Sequence, residues 1–447
     1  MSTKKFFTGL AAVVLIVLKL FIQTANAQDN VKTISLNDAV AVALSNNSNV
    51  KLALLDQNIA IANYKQTEAI FLPQVGFSYT AMGTNDPLNA FGFKLQQQSI
   101  TAADFNPATL NHPSGTADVM TKLEVQQPLL NIDMLYMRKG AEKQTSVYQY
   151  KTQRTKEFIT FEVQKAYLQL QLAYNAVTVL EEARQTAQTV YTFTNNHFKQ
   201  GLIQKSDVLN AQVQLQDVET NLTKAHSNVV NASNYLALLM GNKDGVVYKI
   251  TEGIPATLTG IDTTQKITPA RADFMAMQKA IDASNLMIKS TQMSYLPKLN
   301  AFGNYQYNDS HLTGFGGNGY LVGVQLSWNL FNGNKTKNTI SVQKLERDKL
   351  SEQLTQQKDQ GQLELNKAYH DLVDARFEIA QKTTAVDQTA ESLRILQNRY
   401  QQGLVNTTDV LMAETQLAQQ KFALVQARYA YNLTTYYIQL LTSTTNK

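Results

Sequence analysis

The 447-residue chain contains no cysteine, one tryptophan, eight prolines and five histidines. Without cysteine it can form no disulfide and no thiolate metal site, and it can carry no lipid on an N-terminal cysteine. The sequence also lacks the G-x-S-x-G, H-E-x-x-H, Walker and Rossmann glycine motifs. These absences argue against an enzyme and against a cofactor or metal site. Because the chain has no nucleotide-binding motif, the energy for any transport would come from a partner. The histidines lie without metal-ligand spacing at His112, His197, His226, His311 and His370.

The chain has one long apolar run, near its N-terminus, and little excess charge. Residues 1–27 combine two early lysines, a mostly apolar stretch over 10–18 and an Ala-Asn-Ala ending, which predicts a secretory signal peptide. An uncleaved anchor is the alternative, although Lys19 interrupts the apolar run. No other stretch is apolar enough to cross a bilayer as a helix. The formal charge of the whole chain is +5, and three lysines and no acidic residue lie in residues 1–27. The charge left on the mature chain is therefore small, and it predicts neither nucleic acid nor an acidic partner.

An internal repeat dominates what is present. Residues 198–217, FKQGLIQKSDVLNAQVQLQD, return 202 positions later as residues 400–419, YQQGLVNTTDVLMAETQLAQ, with nine of twenty residues identical. Each copy predicts a helix end, a turn at Gly201 or Gly403, and a new helix, because glycine adopts a positive φ without a Cβ clash. Two helical hairpins of one design therefore organise the chain.

The residues after each glycine predict how the new helices begin. We expect Ser206 and Thr408 to be the N-caps, because their hydroxyls can accept hydrogen bonds from free backbone N–H groups. Asp207 and Asp409 would lie in the first turns, where the helix dipole favours negative charge. This helix-start chemistry is also the alternative to any other role for the two aspartates.

Heptad patterns flank both turns. Apolar or small residues recur every seven positions in two registers, which is typical of a coiled-coil seam. Because prolines are absent from residues 132–197 and 335–399, we predict long helical hairpins over 132–240 and 335–442, with first helices on the order of 100 Å long. Seams alone indicate only packing. After the first turn the seam comprises Val208, Ala211, Leu215, Val218, Leu222, Ala225, Val229, Ala232, Leu236 and Leu239.

Each half opens with a helix that ends at a Leu-Pro pair, after which the apolar period becomes two. The first helix is predicted from Ser35 to Phe71, and the strands follow Pro73 and Pro297. Four strands of about nine to eleven residues suit an outer-membrane barrel, but a half-buried soluble sheet alternates in the same way. Each strand has one apolar face, and the residues of these four faces are Val75, Phe77, Tyr79, Ala81; Val119, Thr121, Leu123, Val125; Leu299, Ala301, Gly303, Tyr305, Tyr307; and Tyr320, Val322, Val324, Leu326, Trp328.

Four strands are too few to close a membrane barrel, since the smallest use about eight. Open sheet edges are not tolerated in lipid, so a membrane-spanning sheet would be shared by several chains. Two chains would supply eight strands and three would supply twelve. The loop over residues 83–117 is long and polar, that over 308–319 is short and glycine-rich, and in a barrel both would face outside.

These patterns predict two structural repeats behind the signal segment. The first covers residues 28–240, with a β-hairpin at 74–127 and a long helical hairpin at 132–240. A Gly/Thr-rich connector spans 241–267. The second repeat covers 268–447, with a β-hairpin at 298–329 and a long helical hairpin at 335–442.

Over nearly all of the mature chain, the order and duplication of these motifs resemble the outer membrane efflux proteins of the TolC type. The resemblance is carried by the two Leu-Pro corners, the strand-to-helix passages QQPLLN and WNLFNGN, Arg271-Ala272-Asp273, and the two glycine turns. It implies a mainly α protein with a β-barrel part: a homotrimer with a twelve-stranded barrel in the outer membrane of a Gram-negative bacterium and a helical tunnel across the periplasm. It also implies docking on a periplasmic adaptor and an inner-membrane pump, in efflux or type I secretion.

By this resemblance the glycine turns are the periplasmic tips of the tunnel. The positions that meet the adaptor are Gly201, Leu202, Ile203, Gly403, Leu404 and Val405. The alternative is that the glycines only make the turns, and both can hold.

The resemblance also implies a periplasmic gate. The family closes its channel with a Tyr and an Arg on the second hairpin against an Asp on the first. Tyr400 matches the Tyr and Asp207 the Asp, whereas Val405 replaces the Arg, so we expect closure to depend on a Tyr400–Asp207 hydrogen bond and on helix packing. Asp409 matches one of two aspartate rings seen in some members, and Met412 occupies the other position.

A secreted periplasmic coiled-coil scaffold without a pore is the competing interpretation. It would explain the heptad seams but not the paired aromatic hairpins. The sequence therefore favours a passive exit duct, in which the pump rather than the lumen selects the substrate.

Overall fold

The computed structural model describes residues 31–242, 245–251, 253–254 and 264–444. The predicted signal peptide at residues 1–27 and part of the predicted connector lie outside the described residues. Two compact units are present, and each takes segments from both halves of the sequence. The helical unit contains the described residues of Met1–Lys51, Thr155–Ile267 and Gly361–Ser443, and the sheet unit contains those of Leu52–Arg154 and Thr268–Gln360.

Long antiparallel hairpins build the helical unit. Helix α5, Ile132–Lys199, enters it from Thr155 onward and is followed after a short turn by α6, Lys205–Leu239. Helix α8, Lys335–Gln401, enters from Gly361 and is followed by α9, Thr407–Thr442. The predicted coiled-coil packing is confirmed, because the α6 seam is buried at Val208, Ala211, Leu215, Val218, Ala225, Val229 and Leu236.

Small residues allow the helices of this unit to approach closely. Around the first hairpin, the fully buried Ala39 and Ala43 of helix α1, Leu36–Asn46, pack in one cluster with Ala166 and Leu170 of α5. The second hairpin has its own cluster between α8 and α9. A third cluster near the turns takes residues from all four long helices: Val190, Ala211, Leu393, Val410 and Leu411.

Two local features differ from the sequence-based predictions. The first helix does not run unbroken to Phe71, because Asn47 leaves the helical conformation and its amide donates to the Leu239 carbonyl at 2.8 Å. Helix α2, Ser48–Gln66, begins after this break. The predicted connector contains a strand, β4, Val247–Ile250, which pairs in parallel with β1, Val31–Ile34. The connector strand was missed because four residues are too short for a periodic signal.

The sheet unit contains one antiparallel sheet of four strands. In chain order they are β2, Gln74–Thr84; β3, Thr116–Leu130; β5, Lys298–Asp309; and β6, Gly317–Ser327. The strand order is β2-β3-β5-β6, so β2 and β6 form the edges. The four predicted strands are thereby confirmed, and Pro73 and Pro297 directly precede β2 and β5.

The two faces of this sheet differ in chemistry. The strand register aligns Phe77, Leu123, Tyr305 and Tyr320 in one row across the sheet. The Phe77 and Tyr320 residues at the row's ends are 71% and 76% exposed. The neighbouring row, on the opposite face, is polar and comprises Ser78, Lys122, Gln306 and Gly319.

Helices complete the sheet unit. Helix α7, Ala272–Met293, precedes β5, and most of α2 precedes β2. The long β2–β3 loop contains helix α3, Pro87–Gln96, a 3-10 turn at Ala102–Phe105, and helix α4, Pro107–Asn111. Among the described residues, no helix is both long enough and apolar enough to span a membrane.

Candidate functional site at the helix turns

The first turn is a Schellman motif centred on Gly201. The N–H of Gly201 donates to Phe198 O at 2.9 Å, and the N–H of Leu202 donates to His197 O at 3.0 Å. These bonds satisfy carbonyls at the end of α5 and place Gly201 at a φ of +75°. A Cβ on Gly201 would meet open space. Glycine is therefore favoured here by backbone conformation rather than by packing.

The second turn repeats this geometry. The N–H of Gly403 donates to Tyr400 O at 2.9 Å, and the N–H of Leu404 donates to Arg399 O at 3.0 Å. Gly403 has a φ of +73°, and a Cβ there would again meet open space. Both predicted glycine turns are thus present with the same hydrogen bonds.

The helices after the turns begin two residues earlier than predicted. The N-caps are Gln204 and Asn406, so the predicted N-caps Ser206 and Thr408 are wrong. Asp207 accepts a hydrogen bond from the Gln204 N–H at 3.3 Å, and Asp409 accepts one from the Asn406 N–H at 3.2 Å. Each aspartate thereby forms one half of a capping box. The sequence prediction missed this register because Ser and Thr are stronger N-cap residues than Gln.

Apolar side chains project from both turns. Leu202 is 63% exposed and Leu404 is 60% exposed. Ile203 and Val405 are half-buried, and Val405 packs against the cluster of Val190, Ala211, Leu393, Val410 and Leu411. Each tip therefore combines a fixed backbone with an exposed leucine.

Tyr400 does not bond to Asp207 within the chain, contrary to the expected gate contact. Its hydroxyl lies 2.8 Å from both Thr194 Oγ1 and Thr407 Oγ1. Thr194 Oγ1 donates to Val190 O at 2.7 Å. Because each hydroxyl has one proton, Tyr400 donates to Thr194 and Thr407 donates to Tyr400. The three hydroxyls form a directed relay that joins the end of α8 to α5 and to the start of α9.

The surroundings of this hydroxyl relay are closely packed. Thr194 is fully buried and Thr407 is 5% exposed. The Phe193 ring contacts the rings of Tyr400 and His197, with centroid-to-centroid distances of 4.8 Å and 4.1 Å. The sequence reasoning missed both threonines. A position-by-position comparison of the two copies could have found Thr407, because it is one of the positions at which they differ. Lys205 is the corresponding residue of the first copy.

A buried carboxyl lies further along α9. Glu414 is 4% exposed and lines a cavity of about 120 Å³ with side chains of α5 and α8. Burial raises the pKa of the Glu414 carboxyl from 4.5 to about 7. The charged groups that share the cavity, Glu182 of α5 and Lys421 of α9, pair with each other. Sequence reasoning did not single out Glu414, because it lies outside the a and d positions.

An exposed apolar sheet face and paired long helical hairpins are the two parts expected of a channel protein that combines a membrane β-barrel with a helical tunnel. The sequence pattern of the family described as "Outer membrane efflux protein" matches residues 39–242 and 264–443. The chain belongs to this family. It is an outer membrane channel for efflux that extends into the periplasm, and it is not an enzyme. The alternative of a scaffold without a pore is thereby set aside.

The chain is similar to known outer membrane proteins over most of their length. The chain is 23% identical over 419 residues to the cation efflux system protein CusC of Escherichia coli O6:H1, covering 88% of this chain and 82% of that protein. The crystal structure of CusC matches with a TM-score of 0.76 and 16% identity over 94% and 95% of the two chains. The VceC outer membrane protein of Vibrio cholerae matches with a TM-score of 0.74 and 19% identity over 92% and 97%.

Proposed function

We propose that the chain works as a homotrimeric, passive exit duct, which receives substrates from an inner-membrane pump and docks on a periplasmic adaptor through its helix turns. The observation that carries this proposal is the four-stranded sheet with an exposed apolar face and two terminal strands. Such a face suits lipid contact, and open edges are not tolerated in lipid. Strands β2 and β6 would therefore pair between copies.

Three copies are the assembly that the strand count favours. They would supply twelve strands, whereas two would supply the eight of the smallest membrane barrels, whose interior is just wide enough for side chains. A lumen continuous with a helical tunnel needs the wider barrel. The polar row of Ser78, Lys122 and Gln306 would then line the lumen.

The turns support the docking part of the proposal. Gly201, Leu202, Ile203, Gly403, Leu404 and Val405 form two matching tips with fixed backbones and exposed leucines. An exposed apolar side chain on a rigid turn suits contact with another protein. The gate would lie at the same end, with the Tyr400 hydroxyl relay holding α8 and α9 together, Asp207 at the first tip and Asp409 near the axis. Docking there would place the adaptor beside the groups that keep the channel closed.

Disulfide crosslinking tests the assembly, and the absence of cysteine makes the background clean. Ser78→Cys on β2 is combined in turn with Gly319→Cys, Leu321→Cys or Gly323→Cys on the same face of β6. We expect one register to give covalently linked trimers from the outer membrane. The unsubstituted chain should run on gels as a trimer whose migration changes on heating. The control pair Lys122→Cys and Gln306→Cys joins strands that are already neighbours, so it should crosslink within one chain. Monomers at every β2–β6 register, with full β content, would overturn the trimer.

A further inference from the structure

The long loop between β2 and β3 is a folded element. The Asp86 carboxylate accepts from the Asn89 N–H at 3.0 Å and caps α3. Lys94 Nζ lies 2.6 Å from Asp104 Oδ1, and this hydrogen bond, with those from Thr101, lowers the pKa of Asp104 to about 2. Helix α3 and the 3-10 turn of the loop are thereby joined into one body.

This body is attached to the sheet through a buried polar cluster. Gln97 Nε2 donates to Ala117 O at 2.7 Å and to Asp118 Oδ1 at 3.0 Å. From β5, Asn308 Nδ2 donates to Asp118 Oδ2 at 2.8 Å. Asp118 is fully buried and Asn308 is 1% exposed. A buried carboxylate that loses such donors is costly to leave unsatisfied, so the cluster holds the loop firmly.

The same segment reaches the far edge strand. A Cβ on Gly317 of β6 would lie 2.1 Å from Gln96 O, so only glycine permits this approach. Gln98 has a φ of +55°, and its Nε2 donates to Asn318 O at 3.2 Å. The loop leaves the sheet at β2, bonds to β3 and β5, and ends its crossing on β6. It therefore covers the width of the sheet at its loop end.

The strand register identifies the covered face. Asn308 is paired with Met120 and with Gly317, and side chains alternate between faces along a strand. Asp118, Asn308 and Gly317 therefore share the face of Lys122, opposite the exposed row that contains Phe77. The loop packs on the polar face of the sheet, at the end away from α5 and α8.

We propose that residues 85–115 form an inward-folded constriction of the channel's outer mouth, held there by the Gln97–Asp118–Asn308 cluster. The inference rests on the proposed function, because the polar face becomes a lumen only in a closed barrel. If the apolar face meets lipid, the loop of each copy lies inside the barrel rather than outside it. Several copies around one axis narrow the exit for solutes moving in either direction.

Single-channel conductance in planar bilayers tests the constriction with two variants. Thr84 and Thr116 are paired across the hairpin, so replacing residues 85–115 by Asn-Gly closes it with a type I′ turn. The second variant, Asp118→Asn, keeps the loop but replaces one of the two accepting carboxylate oxygens by an NH₂ group. That NH₂ group would face an NH₂ group of Gln97 or Asn308, so one hydrogen bond of the cluster is lost. We expect the shortened loop to raise conductance at least about twofold and Asp118→Asn to give larger, fluctuating currents. The control Leu312→Ser changes a side chain of the other hairpin loop that is 67% exposed and should leave conductance unchanged.

Chemical labelling gives a second readout. Lys122→Cys places a thiol on the polar face below the loop, and intact cells are treated with a bulky polyethylene glycol maleimide. We expect slow labelling with the native loop and at least about tenfold faster labelling with the shortened loop. Leu312→Cys, at an exposed position of the other hairpin loop, should label equally in both backgrounds. If both loop variants form trimers whose conductance and labelling rate equal those of the unmodified chain, the constriction is overturned. Loss of trimers or of all conductance in the unmodified chain would instead overturn the proposed function.

Discussion

The two helix turns have the same backbone but different side-chain chemistry. Gly201 and Gly403 have φ values of +75° and +73°, make corresponding hydrogen bonds, and are followed by capping boxes with an aspartate at the same position. Tyr400, however, stands where the first copy has Phe198. The duplicated sequence therefore preserves the shape of a tip, while the hydroxyl relay belongs to the second tip.

The difference continues into the following helices. Glu414 of α9 corresponds in the repeat to Gln212 of α6, and Thr407 corresponds to Lys205. Burial raises the pKa of Glu414, whereas the amide of Gln212 does not titrate. The second hairpin thus carries both a hydrogen-bonded relay and a titratable group close to one tip.

Replacing the turn glycines should have the largest effect. Gly403→Val places a β-branched residue at positive φ, which costs about 1–3 kcal/mol and distorts the docking tip. We expect export to be abolished while trimer yield in the outer membrane is unchanged. Gly403→Asn is the matched control, since asparagine tolerates this conformation and should retain export.

The corresponding Gly201→Val variant makes this test a comparison of the tips. Loss of export in both variants would indicate that the adaptor contacts both turns, and loss in one would assign docking to that turn. Normal export by both valine variants would contradict docking at the turns.

Glu414→Gln should change the pH dependence of stability. The folded state keeps the Glu414 proton up to about pH 7, whereas an unfolded glutamate loses it near 4.5. Wild type should therefore lose stability as the pH rises between these values, by at most about 3 kcal/mol for each chain. The variant, which copies Gln212, should lack this loss and melt higher than wild type at pH 8, as measured by circular dichroism. The same slope in both proteins would show that Glu414 is charged in the folded state.

Tyr400→Phe makes the second tip resemble the first. It removes the central hydroxyl of the relay, for a loss of about 1 kcal/mol per hydrogen bond. We expect a channel that opens more readily, observed as a larger open fraction in planar bilayers with unchanged trimer yield. Phe198→Tyr, the reverse change in the first tip, should not affect opening. An unchanged open fraction in Tyr400→Phe would limit the relay to a structural role.

Asp409→Asn should have the smallest effect on stability and a specific effect on conductance. Copies of Asp409 near the axis would attract cations and could hold a divalent ion by their oxygens. We predict that divalent cations on the periplasmic side block the wild type and do not block Asp409→Asn. Asp207→Asn is the control, because both changes weaken a helix start by a similar amount, on the order of 1 kcal/mol. Retention of the block in Asp409→Asn would leave that residue only its capping role.

Much of the architecture was predictable because it follows from short-range periodicity. The heptad pattern of α6 predicted seven of its nine buried residues, and the alternation after Pro73 and Pro297 predicted four strands. The missing parts are those that depend on long-range contacts. The break at Asn47 depends on the Leu239 carbonyl, and β4 depends on β1, which is distant in the sequence. Both partners are brought together only by folding.

At the site, local sequence determined the turns, since glycine suits their positive φ best and an aspartate three residues after the N-cap favours a helix start. Tertiary structure decided what each side chain bonds to. Tyr400 meets Thr194 and Thr407 because α5, α8 and α9 converge there, and Glu414 is buried because three helices surround it. The path of the β2–β3 loop to β6 was decided in the same way. Periodicity is a property of one segment, whereas burial and hydrogen-bond partners depend on several segments at once.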